Sequence, residues 1–557
     1  MAVTNNEVIE KLNSNPLFKL LDEESLDELA AVSRSAAIRS GQVIYDTGDI
    51  CNGFFMILSG RVVIEKETMA GVFPIAFLEP GDHFGQETLS DSSRTRLSRA
   101  TALTDVVLVK FSRTALKDLA SRSQEFKQAA KLLHRSFLVS IRKDFPWKNE
   151  PENIIYITRK HYYYLFKSLV FPVLTGILLL IPLALIYFVI LPGRIIMPIL
   201  MACDLVVSFF WSLWKGWDWT NDYYVITTAR LLNLEKVVLF YESRQETPME
   251  AVLSLETDSS FTGRWMGFGT IRAKTFTGSI SFPYLESPDW VVGLLQDHWA
   301  RVKTTRIEVN QTEIEADIRQ RISGSKPASP QLPVNQVTSQ VESSPLVSSL
   351  ADLFKLKEIQ DDSVIYRTHW WILVRRLFLP LIFLVIWLMS MVAAATGFLG
   401  GVDITFFFST ILLSGLVLWI WFLYRIVDWR NDYYMITTDQ IIDVHRRPLG
   451  SEDKRTAPLK NIQTIEYKRL GMLGLLLNFG TVFIRIGDTE FTFDFVSDPS
   501  AVQKELFERF MDLTRKEKKN EIQAERERIA DYIDTYHRMT GENSPGQTQT
   551  NPGNDSG

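Results

Sequence analysis

Residues 78–105 read LEPGDHFGQETLSDSSRTRLSRATALTD, and the reading of the N-terminal region turns on them. Gly81-Asp82 is a turn signal. Three arginines follow at Arg94, Arg96 and Arg99, a run that suits either an anion pocket or a solvated strand edge. Working outward, Gly41, Gly48-Asp49 and Gly60 punctuate alternating segments at Gln42–Tyr45 and Phe54–Leu58, which read as short strands. Helical spacing links Leu17, Leu20, Leu21, Leu26 and Leu29 upstream. Downstream, Arg113 to Arg142 reads as one helix with Leu116, Leu119, Phe126, Ala129, Leu133 and Phe137 along a stripe.

In this order the motifs resemble the cyclic nucleotide-binding domain of catabolite activator proteins and protein kinase A regulatory subunits. The carrying residues are Gly48-Asp49, then Phe54-x-x-Ile57-Leu58-Ser59-Gly60-Arg61-Val62, then Leu78-x-x-Gly81-Asp82-x-Phe84-Gly85, then Arg96 and Ala102-Leu103-Thr104-Asp105. The resemblance implies an α+β β-roll over residues 1–145, with a phosphate-binding cassette from Phe84 to Thr101. In that family a short helix after the glycine aims N–H groups at the cyclic phosphate. A Glu accepts from the ribose 2′-OH, and an Arg pairs with the phosphate oxygens.

Carried onto this chain, the candidate cyclic nucleotide-binding residues are Gly85, Gln86, Glu87, Thr88, Arg96 and Ser98, with cyclic AMP or cyclic GMP as the expected ligand and no other cofactor. Arg96 falls at the family arginine. The acidic position is open: Gln86 directly follows Gly85, whereas Glu87 is one residue late. A neutral Gln86 facing the ribose would weaken binding by ~1–2 kcal/mol. The alternative is a roll that packs a neighbour and binds no nucleotide. His83 reads as a turn residue. Transcription factors of this type continue into a helix-turn-helix. Here Pro146-Trp147 leads to an apolar block, so no nucleic-acid partner is expected.

The chain has 557 residues, enough for three or four folding units. Its 60 Lys+Arg against 65 Asp+Glu give a net charge of −5, which excludes a global basic field for nucleic acid. Cys51 and Cys203 cannot build a disulfide framework. The seven histidines are scattered singly, without metal-ligand spacing. No nucleophile–base constellation is legible, so a non-enzyme is expected.

Four apolar blocks, at 165–191, 195–214, 377–399 and 404–424, are each long enough to span a bilayer. They form two hairpins, 165–214 and 374–424. Arg159, Lys160, Lys167, Lys215, Arg375, Arg376, Arg425 and Arg430 sit at the outer ends of the hairpins. The positive-inside rule then predicts a four-span plasma-membrane protein with N-terminus, soluble modules and C-terminus cytoplasmic. The N-terminus lacks an apolar signal-peptide region. Asp204 interrupts the second block, and an interhelical hydrogen bond is the expected partner rather than an ion or proton site.

Each hairpin precedes nearly the same string, Asp218-Trp219-Thr220-Asn221-Asp222-Tyr223-Tyr224-Val225-Ile226-Thr227-Thr228 and Asp428-Trp429-Arg430-Asn431-Asp432-Tyr433-Tyr434-Met435-Ile436-Thr437-Thr438. Pro248 with Pro458, Phe268-Gly269-Thr270 with Phe479-Gly480-Thr481, Pro288 with Pro499 and His161 with His369 extend the match, which reads as a duplication. Trp219, Tyr223 and Tyr224 are expected to anchor at the bilayer interface, with Asn221-Asp222 as a turn. Strands are predicted at Tyr223–Leu234, Lys236–Tyr241, Val252–Thr257 and Thr270–Thr275, then a helix at Trp290–Ala300. Gly267-Phe268-Gly269 reads as a turn between strands, not a nucleotide loop. The arrangement resembles bacterial PH-like domains behind paired membrane helices, which implies two β-barrel or sandwich domains with C-terminal helices, at 217–322 and 427–514. No Lys/Arg cluster of the phosphoinositide-gripping type is evident.

Arg301–Ile322 stays helical, residues 323–362 read as a flexible linker, and 515–557 as a charged helix (Arg515 to Met539) with a disordered tail. The whole predicts a multidomain membrane protein: a regulator or scaffold in which nucleotide repositions helix 113–142 against the first hairpin. Expected partners are the lipid bilayer, cyclic nucleotide, and a cytosolic protein or a second copy of the chain. A nucleotide-gated channel or transporter is the other class, although no filter-like loop is present.

Overall fold

The computed structural model describes residues 5–68, 71–90, 94–143, 145, 147–148, 152–190, 195–276, 278–298, 356–360, 363–396, 404–448 and 452–541. The predicted helix at 301–322, residues 323–355 of the linker and the tail from 542 lie outside the described residues.

The N-terminal region opens with α1 (Asn5–Asn13) and α2 (Glu23–Val32), the latter capped by Asp22, whose carboxylate accepts from Ser25 N at 3.2 Å. A β-roll follows. Its strands are β1 (Arg34–Ile38), β2 (Val43–Tyr45), β3 (Gly53–Ser59), β4 (Val62–Thr68), β5 (Gly71–Leu78), β6 (His83–Phe84), β7 (Arg99–Ala102) and β8 (Val106–Ser112). They form two four-stranded sheets, ordered β1-β8-β3-β6 and β2-β7-β4-β5. Strand β3 is buried on both faces, which explains its unbroken apolar run. Phe54, Met56 and Leu58 face the helices, with Phe18, Leu26, Phe111 and Phe126. Phe55 and Ile57 face the roll interior, with Tyr45, Phe84 and Leu108. At Gly60 φ is 86°, and a Cβ would strike the Asp105 carbonyl, so the β3–β4 turn requires glycine.

The single helix expected over 113–142 is two helices, α3 (Arg113–Arg122) and α4 (Gln124–Arg142). Ser123 breaks them: its N–H bonds to Leu119 O at 2.8 Å, while its hydroxyl caps α4 by accepting from Phe126 N at 3.2 Å. His83 is not a turn residue either. It lies in β6 opposite Met56, packs on the Phe54 ring and meets Asn15 Nδ2 at 3.1 Å.

Both soluble modules wrap around their hairpins. Strand β9 (Ile154–Thr158) precedes helices α5 (Tyr162–Leu185, running on as a π-turn to Ile190) and α6 (Ile196–Trp219). Strand β10 (Tyr223–Thr227) then returns to pair with β9, Val225 opposite Ile157. The sequence reading missed β9 and joined two strands into one. Here β11 (Arg230–Val237) and β12 (Tyr241–Pro248) continue that sheet, and Lys236–Tyr241 holds the turn between them. A separate sheet contains β13 (Ser254–Asp258), β14 (Phe268–Lys274) and the unpredicted β15 (Ser279–Glu286). Gly267 (φ 76°) terminates α7 (Phe261–Met266), so the Gly-Phe-Gly turn joins a helix to a strand. Residues 288–298 form α8.

The second module begins inside the expected linker: β16 (Lys357–Gln360) pairs with β17 (Ser363–Arg367). Helices α9 (Trp370–Ala395) and α10 (Ile404–Asn431) follow, then β18 (Tyr433–Ile436), β19 (Gln440–Arg446) and β20 (Glu452–Pro458) complete a five-stranded sheet. Next come β21 (Ile462–Leu470), α11 (Gly471–Leu476), β22 (Phe479–Ile486) and β23 (Thr489–Ser497). Helix α12 (Pro499–Gly541) starts well before the predicted Arg515.

The two modules are not separate. Strand β12 pairs with β21, Arg244 opposite Tyr467, giving one seven-stranded sheet in the order β23-β22-β21-β12-β11-β10-β9. At this seam Arg230 is fully buried. It bonds Glu152 at 2.8 and 2.9 Å and Glu246 at 2.6 Å, and its guanidinium lies 3.9 Å from the Phe507 ring centre. Arg244 reaches Glu246 at 2.8 Å and Gln503 of α12 at 2.6 Å. Buried charges on this scale persist only when each is paired.

The repeated string is structural. Asp222 pairs with Lys160 at 2.9 Å, and Trp219 Nε1 donates to Lys160 O at 2.8 Å. Tyr223 and Tyr224 are not bilayer anchors: both rings are buried among β-strands, and Tyr224 donates to Pro283 O at 2.9 Å. Similar contacts recur later. His161 N bonds Tyr284 O at 2.7 Å and its ring stacks on Phe268; His369 N bonds Phe495 O at 2.7 Å and its ring stacks on Phe479.

Among the described residues four helices are long and apolar enough to cross a membrane, and their outward faces expose Phe171, Leu178, Phe210, Ile386 and Leu416. Glycine permits close packing within each pair: Gly176 meets Ser208, and Gly415 meets the Trp387 ring. The hydrogen bond expected of Asp204 is absent at Oδ2, which is buried with no partner among the described residues.

Candidate functional site

The cassette is built by a turn, a 3₁₀ helix and a strand start. Gly85 has φ 86°, which favours glycine, and caps the 3₁₀ turn Gln86–Leu89. A Cβ on Gly85 would lie 2.8 Å from Arg96 Nη1, so the same glycine also makes room for the guanidinium.

Glu87 and Arg96 come together deep in the roll. Glu87 is fully buried and Arg96 is 2% exposed. Arg96 Nη1 donates to Glu87 Oε2 at 3.2 Å, and Leu97 N donates to Glu87 Oε1 at 3.1 Å. Arg96 Nη2 and Thr88 Oγ1 both donate to the Gly53 carbonyl, the latter at 2.7 Å. Gln86 goes elsewhere: its side-chain amide contacts His83 O at 3.4 Å, away from the guanidinium. The remaining arginines separate. Arg94 is exposed, and Arg99 forms a bidentate pair with Asp46 at 2.9 and 2.8 Å.

Tyr45, which the sequence reading passed over, covers the site. The Arg96 guanidinium carbon lies 4.2 Å from the Tyr45 ring centre and 5.7 Å from that of Phe55. Burial raises the Tyr45 hydroxyl well above the ordinary tyrosine range. Three polar atoms in this small volume, Arg96 Nε, Ser98 Oγ and Tyr45 Oη, are buried with no hydrogen bond of normal geometry among the described residues, although Ser98 lies close enough to act on the Tyr45 hydroxyl. Each such atom costs about 1–3 kcal/mol of desolvation, and a cluster of them is where an additional polar group gains most.

A second missed residue lies on α4. His134 Nδ1 donates to the Gln86 carbonyl at 3.0 Å, and burial holds its pKa below the ordinary imidazole value. Farther along α4, Ser136 Oγ accepts from Ile157 N at 2.8 Å, and Arg135 pairs with Glu286 at 3.3 Å. The helix therefore docks on β9 and β15 rather than on the hairpin itself. Nothing in the stripe spacing marked His134, because a polar residue beside a buried leucine has no distinctive pattern. Among the described residues, no group of three His, Cys, Asp or Glu is placed to hold a metal ion.

Residues 36–123 match the family model of the cyclic nucleotide-binding domain. Residues 377–510 match that of the bacterial PH domain, a span running from α9 through the second hairpin to α12. The chain thus carries an N-terminal cyclic nucleotide-binding domain and a bacterial PH domain. Solved structures similar to it include the sensor domain of the transcriptional regulator DNR from Pseudomonas aeruginosa, at 20% identity, 26% of this chain, 95% of that chain and TM-score 0.23. The catabolite activator protein of Thermus thermophilus matches at 26% identity over 23% of this chain and 61% of that one, TM-score 0.21. PfPKA-R (141–441) with bound cAMP matches at 23% identity over 25% and 50%, TM-score 0.21. No curated protein matches this chain.

Proposed function

We propose that the chain is a membrane-anchored, non-enzymatic regulator that senses cyclic AMP or cyclic GMP through the Arg96 cassette. In this reading 152–298 is a second PH-like copy, both hairpins span the plasma membrane, and the soluble parts are cytoplasmic. A cytosolic protein or a second copy of the chain would receive the signal. The observation that carries the reading is the buried Arg96 guanidinium with Nε, Ser98 Oγ and Tyr45 Oη around it, none of which makes a hydrogen bond of normal geometry among the described residues. Arg96 would pair with the cyclic phosphate and Glu87, rather than Gln86, with the ribose. Gly85, Thr88 and Ser98 would complete the cradle, and Tyr45 would leave the Arg96 face on binding.

Coupling would run through His134. A ligand that shifts the 3₁₀ turn changes the Gln86–His134 contact, and so biases where α4 rests on β9. Calorimetry of the full chain with each cyclic nucleotide tests this: saturable heat supports sensing, and no heat at millimolar ligand refutes it. A specific observation favours the other reading, a roll used for assembly alone. Arg96 is already engaged by Glu87, Gly53 O and the Tyr45 ring.

A further inference from the structure

A cavity of about 640 Å³ lies between α4, β9 and the roots of the first hairpin. Arg135, Arg142, Lys143, Arg159 and Lys160 line it, against the single lining carboxylate of Glu286. Lys160 is neutralised by Asp222 at 2.9 Å and Glu235 at 3.0 Å, and Arg135 by Glu286. Among the described residues, Lys143 and Arg159 form no ion pair with a carboxylate. Both crowd one aromatic ring: Lys143 Nζ lies 4.1 Å and the Arg159 guanidinium carbon 5.0 Å from the Tyr223 centre. Arg159 Nη2 donates to Tyr223 Oη at 2.6 Å, yet Arg159 Nε is buried with no partner among the described residues. Two cations against one ring, with a guanidinium donor unpartnered among the described residues, suit an anionic acceptor of several oxygens.

The wall of the cavity fixes the kind of anion. Tyr162 begins α5, Trp219 ends α6, and both line the same space. Under the membrane reading proposed above, on which this step rests, that height is the lipid headgroup layer of the cytoplasmic leaflet.

We propose that this cavity binds the phosphate of an anionic lipid headgroup, held by Arg159, Lys143 and Arg142. The headgroup lies between the sensor's α4 and the first hairpin, so bound lipid sets how firmly α4 sits on β9. Phosphate is the shared chemistry, and a free phosphate ion is the other source.

The test uses the full chain in discs of equimolar phosphatidylglycerol and phosphatidylcholine. The readout is the enrichment of phosphatidylglycerol that stays with the protein on detergent extraction. Wild type enriches it, and the Lys143→Gln/Arg159→Gln variant loses about fivefold per cation removed. A variant with the same charge change on exposed β20, Lys454→Gln/Arg455→Gln, keeps wild-type enrichment. Equal enrichment in all three proteins overturns the proposal. So does inorganic phosphate protecting wild type but not Lys143→Gln/Arg159→Gln from heat in pure phosphatidylcholine discs, without phosphatidylglycerol enrichment; free phosphate is then the ligand. A chain that fails to float with vesicles overturns the membrane reading itself, whereas flotation without enrichment overturns only this inference.

Discussion

His134 Nδ1 and the Gln86 carbonyl, 48 residues apart in sequence, share a 3.0 Å hydrogen bond that ties the helix leaving the β-roll to the first residue of its cassette turn. Ser136, two residues on, holds the backbone of β9, so one helix face touches both the candidate ligand site and the sheet that roots the first hairpin.

Acidification should destabilise the fold around that tie, because burial disfavours the charged imidazole even though Nδ1 can still donate to the Gln86 carbonyl. Burial lowers the His134 pKa in the folded chain, so the unfolded chain binds the proton first. The contribution is therefore complete above the ordinary imidazole value of about 6.5 and declines as pH falls below it. Thermal midpoints measured from pH 7.5 down to about 5 should fall more in wild type than in His134→Gln. A parallel decline in both proteins would remove His134 from the account.

Arg96 and Arg94 should differ sharply. Arg94→Ala removes an exposed side chain and should leave nucleotide binding unchanged. Arg96→Ala should abolish it, on the order of a hundredfold or more. Because it also strands the buried Glu87 carboxylate, it should cost about 3–5 kcal/mol of stability. Arg96→Lys, measured by calorimetry beside chemical denaturation, separates the two effects. It retains charge but not the paired donors.

Tyr45→Phe removes a buried hydroxyl that makes no hydrogen bond of normal geometry among the described residues. Without ligand, the substitution should be neutral or stabilising by up to about 1 kcal/mol. If the hydroxyl meets nucleotide, the same change weakens binding about tenfold. Denaturant titration with and without cyclic nucleotide reads both numbers. A clear loss of stability without ligand would show that the hydroxyl already has a role in the resting fold.

Arg230→Met should be among the most damaging substitutions outside the roll. It leaves Glu152 and Glu246 buried without their shared cation, at about 3–5 kcal/mol. Limited proteolysis should then open the β12–β21 seam, since Arg244 and Gln503 share the network. Gln503→Leu should loosen the same seam less, by about 1–3 kcal/mol.

Much of the roll was legible because each of its devices is local. Gly60 and Gly85 mark turns only glycine makes easily, and the run from Phe54 to Leu58 marks a strand buried on both sides. Arg96 was identified from motif register, and it does lie opposite an acid. The choice between Gln86 and Glu87 was not legible, because one residue of 3₁₀ turn decides which side chain points inward. Ser123 could not be told from an ordinary helix residue until its hydroxyl was seen to cap α4. Tyr223 and Tyr224 misled for a related reason: aromatic residues after an apolar helix suit both a bilayer interface and a buried strand, and only β9 distinguishes them. That strand and β17 were missed because they lie before the hairpins, far in sequence from β10 and β18, the strands they join. The β12–β21 pairing links residues more than two hundred positions apart and leaves no local trace.

Nucleotide bound at Arg96 should be felt by α4. Hydrogen exchange of the 124–142 amides in the full chain, with and without cyclic AMP or cyclic GMP, measures it most directly. The account predicts altered protection around Leu133 to Phe137 in wild type and none in Arg96→Ala. Identical exchange in both proteins, at ligand concentrations where calorimetry shows binding, would contradict it.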